Sequence, residues 1–137
     1  MISTVTNRGK CRWMIIDGAF NSDRFIDFMK LLIKGADHKI FLVLDNLRVH
    51  HSKPVKQWVE ENQDEIELFF LPSYSPELNP DERLNADLKH QITTVAPART
   101  RKKLLEVTTS HMRLIEQSAQ RVKNYFGDPN IRYAASQ

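Results

Sequence analysis

The chain has 137 residues, of which 41% are hydrophobic and 27% are charged, and its formal net charge is +3. This length fits one domain of ordinary size, and the composition is typical of a soluble globular protein. No apolar run approaches the roughly 20 residues of a membrane span, and no signal-peptide core is recognisable near the N-terminus. The single cysteine, Cys11, excludes an internal disulfide framework and favours a reducing, cytoplasmic location.

The charged residues are distributed unevenly along the chain. Residues 1–82 contain ten basic and thirteen acidic side chains, whereas residues 83–123 contain nine basic and three acidic ones. An acidic region beside a basic one suits a polyanion held next to metal ions. A solvated helix with an excess of lysine and arginine would give the same counts, so composition leaves both interpretations open.

The first part of the chain predicts a hairpin and then a helix. Residues 2–6 are mostly β-branched and predict a strand, residues 7–10 contain a turn signal with glycine, and residues 11–16 predict the second strand. Residues 21–23 supply an N-cap and an acid for a helix whose apolar residues recur at helical spacing. That helix is expected to end near Gly35.

The next segment predicts two further strands with a helix between them. Residues 40–44 form an apolar run without alternation, which is typical of a strand buried on both faces of a parallel sheet. Ser52 is a plausible N-cap of a helix that runs to about Asn62, and residues 66–71 predict another strand. This order of elements predicts an α/β fold, with a mixed sheet and helices on both of its faces.

The prolines at 72, 76 and 80 exclude regular structure from the loop that follows, and a helix is predicted to begin near Pro80. On this helix Glu82, Asn85, Ala86 and Lys89 share one face.

A long helix is predicted over residues 100–126, after a break at Pro97. Its expected buried positions are Leu104, Leu105, Val107, Met112, Leu114, Ile115 and Val122. We expect one domain over residues 1–126 and a tail over residues 127–137, of which residues 130–137 are weakly held.

Two acids in this pattern are candidate metal ligands. Asp45 directly follows the apolar strand, where a carboxylate is costly unless a metal, a cation or a donor meets it. Glu82 stands in the first turn of the helix after Pro80. Two such acids brought together would make a hard-oxygen site suited to magnesium or manganese. The alternatives are a turn-forming Asp45 and a Glu82 that complements the helix dipole.

The residues around these acids carry a resemblance to a known family. The segment LDN-x-x-x-H, which contains Asp45, and the segment LPSYSPELNPDERLN-x-x-LK, which contains Glu82, resemble the catalytic domain of mariner-like transposases and their bacterial insertion-sequence relatives. These are DDE endonucleases. The resemblance runs from about Ser3 to Lys89, and more loosely to about Arg121, and the second segment is the more specific one.

This resemblance implies a ribonuclease-H-like fold and a transposase, an enzyme that cleaves DNA and transfers the strand with the help of magnesium or manganese. It implies that Asp45 and Glu82 are the catalytic metal ligands and that Asn46, His50 and Asn79 support them. His50 is equally well explained as an ordinary capping group. The family's first acid normally lies on an earlier central strand, so we expect a chain that lacks this strand, binds magnesium weakly and cuts DNA poorly by itself.

Further expectations concern the partners. Basic residues are candidate DNA-backbone contacts, namely Lys89, Arg99, Arg101, Lys102 and Lys103. Transposon ends and target DNA are the implied substrates, in a prokaryotic cytoplasm and at the nucleoid, and exposed sheet edges favour a homodimer. Asp17 is interpreted as a strand-end acid rather than a ligand. The alternative functions are a non-catalytic DNA-binding or assembly remnant of a transposase and a generic α/β domain.

Overall fold

The computed structural model describes residues 1–16, 18–72, 75–95 and 100–134, without the side chains of residues 94, 95 and 132. The chain divides into two compact units. The first unit comprises Met1–Ile2 and Met14–Pro76, and the second comprises Ser3–Trp13 and the chain from Glu77 onward.

The first unit is built on two parallel strands. Strand β3 (Ile40–Leu44) pairs in parallel with β4 (Ile66–Phe70), so that Ile40 lies opposite Ile66 and Leu44 opposite Phe70. Helix α1 (Ser22–Lys34) precedes β3, and helix α2 (Lys53–Glu61) connects the two strands. The prediction of a strand, a helix and a parallel strand is therefore confirmed. The buried core of this unit consists of Phe25, Met29, Leu44, Val55 and Ile66.

The predicted burial of β3 on both faces is wrong. Side chains alternate along a strand, and those of Ile40, Leu42 and Leu44 point to the core. On the other face of the sheet Phe41 is 61% exposed and Val43 is 42% exposed. The ring of Phe41 lies 6.2 Å from that of Phe69 on the same exposed face. In this strand, an apolar run without alternation was therefore not a sign that both faces are buried.

The two helices of this unit begin differently. The side chain of Asn21 accepts a hydrogen bond from the backbone N–H of Arg24 at 3.0 Å, as expected of an N-cap, and α1 ends at Gly35. Ser52 precedes α2 but makes no capping hydrogen bond from its side chain. Its hydroxyl instead bonds that of Ser22 at 2.7 Å, and this contact joins the starts of α1 and α2.

The second unit contains most of the predicted hairpin. Strands β1 (Ile2–Val5) and β2 (Cys11–Met14) pair with each other and are connected by a tight turn. Gly9 in this turn has φ of +93°, and a Cβ atom placed there would lie 2.6 Å from the carbonyl oxygen of Ala119. Glycine is required at this position for both reasons. The described strands thus form two separate two-stranded sheets instead of the single mixed sheet that we expected.

Three helices complete the second unit, namely α3 (Asp81–His90), α4 (Arg101–Glu116) and α5 (Ala119–Asn124). A π-helical turn, Gln91–Val95, follows α3, and a 3₁₀ helix, Pro129–Ala134, follows α5. Their buried core consists of Cys11, Leu84, Leu88, Met112, Ile115, Val122, Tyr125, Phe126 and Ile131. Because Ile131 is fully buried, the described part of the expected tail is not weakly held.

The predicted long helix over residues 100–126 is wrong, because the chain bends at Gln117 and Ser118 between α4 and α5. The backbone N–H of Ser118 bonds the carbonyl of Ile115 at 3.0 Å, and Ser118 occupies the N-cap position of α5 without a capping hydrogen bond from its side chain. Met112, Ile115 and Val122 are buried as predicted, and Val107 is half-buried. Leu104, Leu105 and Leu114 are 42 to 51% exposed, since the core does not reach these positions.

Within the described part of the chain, no helix combines the length and apolar character needed to span a bilayer.

Candidate active site

The first candidate ligand, Asp45, lies directly after β3 in the first unit. The two parallel strands end at the same edge, where the backbone N–H of Leu71 bonds the carbonyl of Leu44 at 2.8 Å. Asp45 is half-buried at this edge. Its position at the carboxyl end of a parallel strand is where open α/β sheets place their functional groups.

His50 holds the loop that follows Asp45. Its Nδ1 donates a hydrogen bond to the backbone carbonyl of Asp45 at 2.7 Å, because a carbonyl oxygen can only accept. The imidazole is 7% exposed and packs against the ring of Phe25 at a centroid distance of 4.6 Å. Burial lowers the pKa of His50, so the neutral ring is favoured. His50 therefore supports the backbone at Asp45 as a buried neutral donor.

A second histidine supports the same loop. His51 forms a hydrogen bond with the side-chain oxygen of Asn46 and stacks on Phe70 at a centroid distance of 4.1 Å. The exposed Asn46 side chain is thus tied to the end of β4 through this ring. The sequence pattern predicted roles for Asn46 and His50 but did not single out His51.

The second candidate ligand, Glu82, lies in the first turn of α3, in the second unit. Asn79 prepares this turn, because its side-chain oxygen accepts a hydrogen bond from the backbone N–H of Asp81 at 3.0 Å. Asp81 is half-buried and accepts a 2.7 Å hydrogen bond from the hydroxyl of Ser3 on β1. The carboxylate of Asp81 is therefore directed toward β1. Arg83 forms an ion pair with Asp128.

Glu82 differs from both of its charged neighbours. Its side chain is exposed and takes part in no hydrogen bond or ion pair with any residue that the structure describes. The predicted face of α3 is confirmed, since Glu82, Asn85, Ala86 and Lys89 are all exposed. The acid that the motif singled out is thus the one in this turn that is available to an external cation.

A polar cluster on the inner side of α3 was missed by the sequence analysis. The carboxylate of Asp87 accepts hydrogen bonds from Arg121 Nη2 at 2.5 Å, Arg121 Nε at 2.7 Å and the Tyr125 hydroxyl at 2.5 Å. His111 Nε2 lies 3.1 Å from the same carboxylate. These partners lie on α4, on α5 and directly after α5, 24 to 38 residues further along the chain, so no local pattern indicates them.

The protonation of this cluster follows from its geometry. Burial would raise the pKa of Asp87, but the hydrogen bonds from Arg121, Tyr125 and His111 outweigh burial and lower it to about 2. The hydrogen bond with Asp87 raises the pKa of Arg121, while burial followed by the Asp87 carboxylate raises the pKa of Tyr125. Asp87 is therefore ionised at neutral pH, and all its described partners act as donors.

The predicted DNA contacts lie on the surface where the structure describes them. Lys89 is exposed on α3, and Arg101, Lys102 and Lys103 are exposed in the first turn of α4. Lys103 lies 3.7 Å from Glu106. Arg99 lies outside the described residues, as does Asp17.

Asp45 belongs to the first unit and Glu82 to the second, so their pairing as metal ligands stays a prediction. Among the residues that the structure describes, no three His, Cys, Asp or Glu side chains form a group that could hold a metal ion. The candidate ligand set thus remains the two acids that the motif indicated.

Comparison with known protein families identifies the class. Residues 1–105 match the family described as DDE superfamily endonuclease, and this match covers more than half of the chain. The chain therefore belongs to the DDE superfamily endonucleases, whose fold is ribonuclease-H-like and which generally act on DNA with divalent metal ions. The mixed α/β architecture is consistent with that fold. Neither the curated proteins nor the solved structures contain a significant match.

Proposed function

We propose that this chain is a transposase catalytic domain that cleaves DNA and transfers the cut strand, with Asp45 and Glu82 as the ligands of magnesium or manganese. The observation that carries the proposal is the state of Glu82. In a helical turn whose other charged residues are bonded, its carboxylate is exposed and is bound by no described residue. The family membership supplies the reaction class.

The chemistry of the two side chains fits the proposed ions. Carboxylate oxygens are the ligands that magnesium and manganese prefer, and water or substrate oxygens complete their coordination. Divalent ions held there would lower the pKa of the attacking water and stabilise charge on the leaving oxygen. The chain's own contribution is to hold the two acids. The hydrogen bond from His50 to the carbonyl of Asp45 supports the backbone at the first acid, and the hydrogen bond from the N–H of Asp81 to the Asn79 side chain supports the backbone beside the second.

The surface of α3 also suits a DNA strand. Lys89 lies seven residues after Glu82, which places it about 10 Å along the helix and roughly 20° around it. A phosphodiester at Glu82 would therefore have a neighbouring phosphate within reach of Lys89. Arg101, Lys102 and Lys103 are exposed cations that would bind further phosphates without sequence preference.

The finer assignments belong to the same proposal. The motif around Glu82 favours a mariner-like or bacterial insertion-sequence transposase that works in a prokaryotic cytoplasm at the nucleoid. We also propose a homodimer, because Phe41, Val43 and Phe69 form an exposed apolar sheet face. Lys39 and Glu67 lie 3.4 Å apart beside it, so its border carries both charges, which two-fold pairing can match. A monomeric mass at high concentration would contradict the dimer.

The test is manganese binding by four variants, measured from the electron paramagnetic resonance signal of free Mn²⁺. Asp45→Asn and Glu82→Gln should each weaken binding at least ten-fold, since each removes one charged ligand. The matched controls are Asp37→Asn, which alters another acid of the first unit, and Glu116→Gln, which alters an exposed acid of the second unit. Both should bind as the unaltered chain does.

DNA binding separates the proposal from its alternative. If all four variants bind manganese equally and bind DNA as the unaltered chain does, the chain is a non-catalytic DNA-binding remnant and the proposed metal site is wrong. If Glu82→Gln binds DNA normally but has lost manganese and any metal-dependent nicking, the transposase function is supported.

A further inference from the structure

The described charged residues of α3 before Lys89 fall into two groups. Asp81, Arg83 and Asp87 are each bonded through their side chains to a residue outside the helix, whereas the side chain of Glu82 is bonded to none that the structure describes. The bonded residues therefore fix the position of α3, and the position of Glu82 follows from that of the helix. The direction in which Glu82 points therefore depends on the parts of the chain that contact the bonded residues of α3.

Most of these contacts come from the C-terminal segment, residues 106–134, which lies beyond the part of the chain that matches the family. Asp128 pairs with Arg83, and the hydroxyl of Tyr133 donates to the carbonyl of Leu78 at 2.5 Å, just before the helix. Arg121 and Tyr125 bind Asp87 in the middle of the helix. The helix that carries Glu82 is thus held at its start and at its centre.

The contact at Asp87 fixes the rotation of α3 about its own axis. Asp87 lies five residues after Glu82, which is roughly 140° around the helix, so the two carboxylates point to nearly opposite sides. A bidentate pair with the planar guanidinium of Arg121 has a defined orientation, unlike a contact with a flexible ammonium group. Leu84 and Leu88 pack beside it in the core, but apolar packing alone specifies rotation less strictly.

We propose that Asp87, held by Arg121 and Tyr125 from the C-terminal segment, is a positioning residue. It sets the rotation of α3 so that Glu82 points toward the divalent metal ion. The segment beyond the family match is then part of the active-site apparatus and not an appended tail. The orientation of α3 follows from the contacts of Asp87, whereas the effect on metal binding rests on the proposed function.

The test uses nitroxide labels on the whole chain at two exposed positions, Asn85→Cys on the outer face of α3 and Gln117→Cys at the end of α4. Burial, followed by the charges of Asp81 and Glu116, raises the pKa of the Cys11 thiol to about 12, so Cys11 does not compete for the label. The distribution of distances between the labels reports the orientation of α3. The same variants without labels are assayed for manganese affinity.

Three variants of the cluster are compared with one control. Arg121→Met should at least double the width of the distance distribution, and Arg121→Lys should widen it less. Tyr125→Phe removes only a hydroxyl and keeps the ring in the core, so it remains informative even if Arg121→Met does not fold. Lys123→Met, which removes one exposed positive charge from the same helix, should leave the distribution unchanged.

In the manganese assay, Arg121→Met should weaken binding at least five-fold, and Arg121→Lys should restore part of the loss. An unchanged distance distribution in Arg121→Met and Tyr125→Phe would overturn the positioning role. If the unaltered chain binds no manganese, the proposed function fails, and the label distances alone then decide the positioning role.

Discussion

Arg121 binds both carboxylate oxygens of Asp87, with Nη2 2.5 Å from Oδ1 and Nε 2.7 Å from Oδ2. The two residues are 34 positions apart, and their contact joins α3 to α5. Removing one member of a partly buried, hydrogen-bonded ion pair leaves the other charge without its partner. The contact is therefore expected to matter for stability as well as for the orientation of α3.

We expect Asp87→Asn to lower the free energy of unfolding by about 2 kcal/mol, because an amide cannot satisfy the guanidinium and the other donors together. The measurement is urea denaturation followed by circular dichroism. Glu116→Gln, at an exposed acid of the same unit, should change the value by less than about 0.5 kcal/mol. Equal effects of the two substitutions would show that the cluster does not stabilise this unit.

The same carboxylate predicts a specific pH dependence. The pKa of Asp87 is lowered to about 2 in the folded chain, below the ordinary value of 3.8. A lowered carboxyl pKa stabilises the fold above the ordinary value, and this stabilisation is lost as the pH falls towards 2. Between pH 5 and pH 2, we expect the free energy of unfolding of the unaltered chain to fall by about 2 kcal/mol more than that of Asp87→Asn. The measurement is denaturation of both proteins across this pH range. Parallel pH profiles of the two proteins would contradict the assignment.

Two glycines with nearly the same positive φ allow the effect of a close contact to be separated from that of backbone strain. Gly9 and Gly18 have φ of +93° and +92°, but a Cβ atom at Gly9 would meet Ala119, whereas a Cβ atom at Gly18 would meet no atom of the described residues within 4 Å. Replacement of either glycine by alanine should lower the free energy of unfolding by about 1 kcal/mol, because alanine is strained at a positive φ. Gly9→Ala should cost at least about 1 kcal/mol more, because backbone and side-chain atoms of Ala119 have to move. Similar melting temperatures for the two variants would mean that the hairpin turn does not lie against α5.

The basic start of α4 predicts a salt-dependent affinity for DNA. Replacing Arg101, Lys102 and Lys103 together by glutamine should weaken binding to duplex DNA and flatten the slope of log K against log salt. The slope should fall by about 0.9 for each phosphate contact that is lost. The control is replacement of three exposed lysines of the first unit, Lys30, Lys34 and Lys53, which should have a smaller effect. Equal losses in both triple variants would indicate attraction by net charge alone.

Local patterns in the sequence predicted much of the fold. The apolar run over residues 40–44 indicated β3, Asn21 indicated the start of α1, and Pro80 indicated the start of α3, and the structure confirms all three. The resemblance carried by the residues around Asp45 and Glu82 predicted the DDE endonuclease class, which the family match confirms. These features depend on short segments whose physical preferences are local.

Features that depend on distant contacts were missed. Nothing near Ser118 in the sequence indicates a bend, and the continuous helical spacing of apolar residues favoured one helix instead. Leu104 and Leu105 continue the apolar stripe of α4 beyond the core, so their exposure could not be read from periodicity. Asp87 looked like an ordinary helical acid, because its partners follow 24 to 38 residues later.

We propose that Asp45 and Glu82 bind the same metal ion. The most direct measurement is a crystal structure of the chain soaked in manganese, with the metal located by its anomalous scattering. We predict a manganese ion with a carboxylate oxygen of each residue at about 2.0 to 2.5 Å, within the range of such hard-cation ligands. A crystal with no manganese at these residues and with the two carboxylates too far apart to share a metal ion would show that Asp45 and Glu82 are not a metal-binding pair.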